Sequence, residues 1–269
     1  IVFLLSISTL PAQQYAHAGE YMDAISAEYA TFQEDLWTYI KTAAHSRSAR
    51  KIEKKRGELL STTVAIQRKV KRMAPYEGDA SLKDSVANYF RMVYNVLNED
   101  YGKIVDLEAI AEDSYDLMEA YLTAQEMANQ RMEEASDRLS ENQRAFAESH
   151  NITLLEGEKS ETSEKLAVAS EVSHYRNDLF LIFFKSYKQE AYMMDAIKDG
   201  DLNALVQNRN TLKKFAGQGL TQLKELKAFK GDNSLITACR TALEFFQEES
   251  EKAQASIDFF LAQENIQKV

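Results

Sequence analysis

The side chains of this 269-residue chain with the widest chemical reach are four histidines, His17, His45, His150 and His174, and a single cysteine, Cys239. A di-iron bundle draws on two Glu-x-x-His segments plus two further glutamates from facing helices. Only Glu171-Val172-Ser173-His174 has that spacing, and His17-Ala18-Gly19-Glu20 reads in reverse order. The sequence has no Cys-x-x-Cys-His haem attachment, no His-Glu-x-x-His zinc pair and no Gly-x-Ser-x-Gly nucleophile elbow. One cysteine cannot form a disulfide within these residues, and its place in an apolar register marks a buried, inert thiol. The expectation is a protein without metal, cofactor or catalytic residues, and not an enzyme.

Two groups of charged residues could bind rather than react. Lys185, Tyr187, Lys188 and Glu190 follow the apolar run Leu179–Phe184, while Glu99, Asp100 and Tyr101 sit among apolar positions elsewhere. Facing each other, they would form a buried polar network, because a buried lysine requires a partnered carboxylate. That network reads either as a ligand site or as a satisfied structural device. Between Ser46 and Met73 stand ten basic and two acidic residues, against a net charge of −10 for the whole. Arg50, Lys51, Lys54, Lys55 and Arg56 head this stretch, and Arg47, Arg68, Lys69, Lys71 and Arg72 complete it. It reads as an anion-binding surface for a membrane or acidic glycan, or as a solvated face beside the acidic segment Glu99–Glu148. A nucleic-acid partner is not expected, since no aromatic platform is interleaved with the charge.

The elements that must position these groups show an internal echo. Tyr76-Glu77-Gly78-Asp79-Ala80-Ser81-Leu82 recurs 153 positions later as Phe229-Lys230-Gly231-Asp232-Asn233-Ser234-Leu235. Apolar positions keep the same offset: Ile52, Leu59 and Met73, at multiples of seven, fall on Leu205, Leu212 and Leu226, and downstream Val86, Phe90 and Val93 fall on Cys239, Leu243 and Phe246. Ile66 is the exception, falling on Gly219. We read a duplication in which residues 164–269 repeat about 15–114. Each glycine is expected to end a helix in the left-handed conformation, with the following Asp or Ser capping the next, and Ser81 with Asp84 resembles a capping box.

Two prolines and nine glycines leave long stretches of good helix formers, and no alternating strand pattern occurs. The fold class is all-α, expected as an elongated antiparallel bundle with two related three-helix units sharing one long helix. Helices are expected at about 15–45, 47–74, 81–150, 164–199, 202–227 and 233–266. The third carries a coiled-coil seam at Ile104, Ala111, Met118, Gln125, Met132, Leu139 and Phe146, with a kink near Gly102 or Asp113-Ser114. The fourth, apolar on all sides, reads as a central, enclosed helix. Residues 151–163 read as a polar linker between an N-terminal unit (13–150) and a C-terminal one (164–269). Residues 1–12 look like the core and end of a secretory signal, cut after Ala12 or before Gly19. With a lone cysteine, this favours the periplasm or cell surface of a Gram-negative bacterium.

Three segments carry a family resemblance: Glu99-Asp100-Tyr101-Gly102-Lys103-Ile104-Val105, Ser114-Tyr115-Asp116-Leu117-Met118-Glu119-Ala120-Tyr121, and Leu181-Ile182-Phe183-Phe184-Lys185-Ser186-Tyr187-Lys188-Gln189-Glu190-Ala191. With the Gly231-Asp232-x-Ser234-Leu235 turn, they resemble a bacterial group of "family surface proteins" labelled after a leptospiral protein. The resemblance implies an exported helical protein without known catalytic residues. The sequence thus points to a non-enzymatic, exported binding or envelope-associated component. The alternative is a ligand- or metal-binding helical bundle.

Overall fold

The computed structural model describes residues 15–46, 48–108, 110–154 and 160–267. The signal-like segment 1–12, Arg47 and the linker glycine Gly157 lie outside the described residues. The elements are α1 (Ala18–His45), α2 (Ala49–Arg72), α3 (Ser81–Asn95), a π-helical turn (Val96–Asp100), α4 (Tyr101–Glu108), a 3-10 turn (Ala111–Asp113), α5 (Tyr115–Ser149), α6 (Glu161–Asp199), α7 (Leu202–Gln222) and α8 (Ser234–Gln267). The protein is all-helical, with no strand among the described residues. Three helix starts, those of α2, α5 and α7, are set by side-chain caps. Ser48 accepts from the Lys51 N–H, Ser114 from Leu117 and Asp201 from Ala204, each satisfying an N–H the helix leaves unpaired.

The chain divides into two compact units. The first holds the described residues up to Val105 with Ala124–Ala167, and the second Asp106–Thr123 with the chain from Val168 onward. The divisions fall after Val105, Thr123 and Ala167, so α5 contributes its first turns to the second unit and its remainder to the first. The single kinked helix expected over 81–150 is divided at its two expected kink positions. It is wound as a π turn just before Gly102 and broken between Glu108 and Tyr115, where Ser114 is extended and caps α5. The hydroxyl there offers the backbone an alternative to helix continuation.

In the first unit, α1, α2 and α3 bury Phe32, Leu59, Val70, Phe90 and Val93, and Leu139 and Phe146 of α5 join the same core. Phe32 meets Phe90 edge-on at 5.4 Å between ring centroids. A side chain buried this completely contributes about 1.5–3 kcal/mol. In the second unit, Leu205 and Leu212 of α7 and Leu223 just past its end pack with Leu243 and Phe246 of α8 and with Leu179 and Met193 of α6. A separate cluster joins Ala111, Met118 and Leu122 to Phe184. Gly219 belongs in this core for a reason the heptad does not display. A Cβ there would meet Leu243 Cδ1 at 2.9 Å and Ile182 Cγ2 at 3.1 Å, so three helices approach closely and a side chain at 219 would force its neighbours to shift. The enclosed position expected for α6 is corrected too: Val168, Val172, Tyr187, Tyr192 and Met194 are exposed along it.

The two echoed turns have the same backbone. Tyr76 and Asp79 exchange N–H···O bonds of 3.1 and 2.8 Å, and Phe229 and Asp232 bonds of 3.0 and 2.8 Å. Glu77 and Gly78 have φ of 48° and 88°, Lys230 and Gly231 50° and 91°, the positive pair of a type I′ turn. Each glycine thus serves as the second central residue of a tight turn; the preceding helices have already ended at Arg72 and Gln222. The expected Ser81–Asp84 capping box is absent, because Ala80 occupies the cap position without a side-chain bond. Instead, Asp79 and Asp232 each accept the N–H two residues on, from Ser81 and Ser234, at 2.7 Å.

That bond holds the Asp79 carboxyl below its usual range, helped by the Ser81 hydroxyl and by His150, whose Nε2 lies 3.0 Å from Asp79 Oδ2. A carboxyl depressed on folding stabilises above its ordinary pKa, and that stability is lost as pH falls through the folded value. Asp79→Asn is therefore expected to lower the urea midpoint more at pH 7 than at pH about 3, which lies below the ordinary carboxyl pKa and where part of that stability is already lost. An equal deficit at both pH values would contradict this origin.

Candidate functional site

The two halves of the expected polar cluster fall in different units, and each makes its own local contacts. In the first unit, Asp100 pairs with Arg131 at 2.8 Å, and the Tyr101 hydroxyl donates to Asn129 Oδ1 at 3.2 Å. Glu99 is exposed on the π turn. In the second unit, Lys185 takes aromatic partners in place of the expected carboxylate, its Nζ lying 4.6 Å from the Phe215 ring and 4.9 Å from the Tyr115 ring. A cation over ring faces is stabilised by the quadrupole, so no buried counter-charge is required. Tyr187 is exposed and stacks on Phe183 at 5.6 Å, and Lys188 lies over Tyr192 at 5.4 Å. Glu190 is half-buried, and burial followed by repulsion from Glu249 raises its carboxyl pKa.

The expected anion surface also divides. Arg50 and Lys51 are exposed at the start of α2, whereas Lys54 and Lys55 both reach Glu58, at 3.8 and 2.6 Å. Arg56 is a structural residue. Its guanidinium grips Glu53 at 2.7 Å and donates to the Leu97 carbonyl at 2.8 Å, leaving the side chain 14% exposed. Such pairing along one helix weakens the case for the N-terminal half as a landing surface.

The other end of α2 is different. Between α1 and α2 runs a groove of about 770 Å³ floored by Ala24, Ala27 and Ala65. Small side chains at facing positions leave this furrow unfilled. Arg68, Lys69 and Arg72 form its rim. Lys69 pairs with Glu28 across the furrow, while Arg68 and Arg72 are exposed and form no ion pair among the described residues. Arg72 and Lys69 also lie in the last turn of α2, where positive charge complements the helix dipole by about 0.3–1 kcal/mol. Helix stabilisation accounts for charge at that end but leaves the alanine floor unexplained. The basic residues were legible in the sequence; the alanines facing them carried no signal until α1 and α2 were paired.

A second cleft, of about 620 Å³, lies wholly in the other unit, between α6 and α7 beside Tyr115. Among the described residues no three His, Cys, Asp or Glu side chains are grouped to hold a metal, and no helix is long and apolar enough to cross a membrane. Glu171 of the Glu-x-x-His segment pairs with Lys230 at 2.6 Å. Cys239 is buried, its Sγ 3.9 Å from the Leu179 carbonyl, and burial pushes its thiol up to about 11. Its reaction with a disulfide reagent at pH 8 is expected to be at least about a hundredfold slower in the native protein than in urea. Equal rates would contradict the burial. No family model, curated protein or solved structure matches the chain.

Proposed function

We propose that this protein is a non-enzymatic, exported helical component of a Gram-negative envelope that engages anionic lipid headgroups through the α1–α2 groove. The observation that carries the reading is the pair of unneutralised guanidiniums, Arg68 and Arg72, over an alanine-floored furrow. Guanidinium groups match phosphate geometry through two parallel N–H bonds, and the furrow accepts the adjoining apolar glycerol and upper acyl segments. Export rests on the apolar run Ile1–Leu10 and is supported by the family resemblance above. Of the two expected cleavage points, that after Ala12 suits the fold better. A chain starting at Gly19 would lose the buried Ala18 and the His17 ring, whose Nδ1 accepts the Glu20 N–H.

The elongated antiparallel arrangement, and the origin of its two units by duplication, belong to the same proposal. The starts of α2 and α7, and of α3 and α8, stand at the 153-residue offset of the echoed turns. A small-angle scattering profile of a compact sphere would contradict the elongated form.

The functional test is co-sedimentation with vesicles rich in phosphatidylglycerol. Binding is expected at low salt, weakened by raised salt, and not displaced by millimolar inorganic phosphate, which lacks the apolar segment. Failure to sediment at low salt would refute the proposal.

A further inference from the structure

The α6–α7 cleft carries a different chemistry. Its floor is apolar, from Leu181 and Ile182 of α6 and the Phe215 ring of α7. Its outer rim is neutral and polar, from Gln218, Thr221 and Gln222. Lys185 is the one charged residue in the lining, and no lining residue carries a carboxylate. The two rings that flank its ammonium stabilise the charge but accept no conventional hydrogen bond, and an ammonium has three N–H donors to place. Tyr115 is itself held from outside the cleft, its hydroxyl donating to Glu119 at 3.2 Å.

Position 185 is also not one where packing calls for a lysine. At the 153-residue offset stands Phe32, 1% exposed in the core of the first unit. The α1–α2 groove and the α6–α7 cleft coincide at that offset as well. Glu28, Ala65, Arg68 and Lys69 line one, and Leu181, Gln218, Thr221 and Gln222 line the other. The same place in each unit is hollow, and its charged rim has been replaced in the second unit by amides, a hydroxyl and a single inward lysine.

We propose that the α6–α7 cleft binds a small organic monoanion, a carboxylate on a ring-sized apolar body. The carboxylate accepts from Lys185 Nζ and from the rim amides of Gln218 and Gln222. The apolar body lies on Leu181 and Ile182 against the Phe215 ring. The cleft falls within the range of about 300–1,000 Å³ usual for small-molecule sites. This site is independent of the lipid-engaging groove.

The test titrates the full chain with 2-naphthoate and, in parallel, with its neutral analogue 2-naphthamide, by calorimetry. One 2-naphthoate per chain is expected, bound at least about tenfold tighter than the amide, as loss of a charge-assisted bond implies. Lys185→Met removes that preference and Lys185→Arg largely keeps it. Thr221→Glu, on the exposed rim, weakens 2-naphthoate by repulsion without touching the core, and serves should Lys185→Met fail to fold. Arg68→Glu with Arg72→Glu leaves the titration unchanged, which separates this site from the groove of the first unit. Equal affinity for acid and amide, indifference to both Lys185→Met and Thr221→Glu, or no saturable binding up to about 10 mM would overturn the proposal.

Discussion

Phe32→Lys is expected to abolish the cooperative folding of the first unit while leaving the second intact. Phe32 is 1% exposed and lies against Tyr29, Tyr89 and Phe90, with centroids 6.2, 6.3 and 5.4 Å away. Removing a buried phenyl ring costs about 3–5 kcal/mol, and an unpaired ammonium adds several more unless it gives up its proton. The sum is comparable to the roughly 5–15 kcal/mol that holds a typical domain. Lys185, at the same offset, is tolerated because it is half-buried and flanked by ring faces. Hydrogen exchange reads the two units separately. Amides of α3 should lose protection in the variant, and those of α7 should keep it. Wild-type protection in α3 would show that position 32 is not the core position described.

Arg56→Met is expected to cost about 2–3 kcal/mol of stability and to leave vesicle binding of the folded protein unchanged. Methionine replaces the aliphatic stem, but the Leu97 carbonyl then loses the guanidinium N–H 2.8 Å away in a half-buried setting. That carbonyl lies in the π turn, and the guanidinium reaches it from another helix. Arg209 does the same in the second unit, its Nε donating to the Ser250 carbonyl at 2.8 Å, again 41 residues away. A denaturant midpoint unchanged from wild type, together with lost vesicle binding, would return Arg56 to the anion surface expected from sequence.

What could be read from the residues was whatever depends on spacing along one helix. Leu59 and Ile66, Leu205 and Leu212, and the seam positions Met118, Leu139 and Phe146 are all buried as their seven-residue register requires. The caps and the Gly-Asp turns are local chemistry as well, although the glycines proved to be turn centres. Contacts between elements were less legible. Lys185 was expected to seek a carboxylate because sequence gives no hint that Tyr115 and Phe215 converge on it from two other helices. The break before α5 was placed at Asp113-Ser114 only as a kink, since a single serine is a weak signal beside an unbroken heptad. Gly219 looked like a defect in the register until the approach of Ile182 and Leu243 gave it a purpose.

The groove itself could not be anticipated, because its defining feature is absence: three alanines where larger side chains would have closed the furrow. Its charge is testable without that knowledge. Reversing Arg68, Lys69 and Arg72 to glutamate removes three cations, each worth about 1 kcal/mol near an anionic membrane surface, and adds repulsion. Phosphatidylglycerol vesicles titrated side by side with wild-type and triple-variant protein at low salt give the most direct comparison. The account predicts that the variant's affinity falls by at least about a hundredfold while its circular dichroism stays helical. Equal partitioning of the two proteins would contradict it.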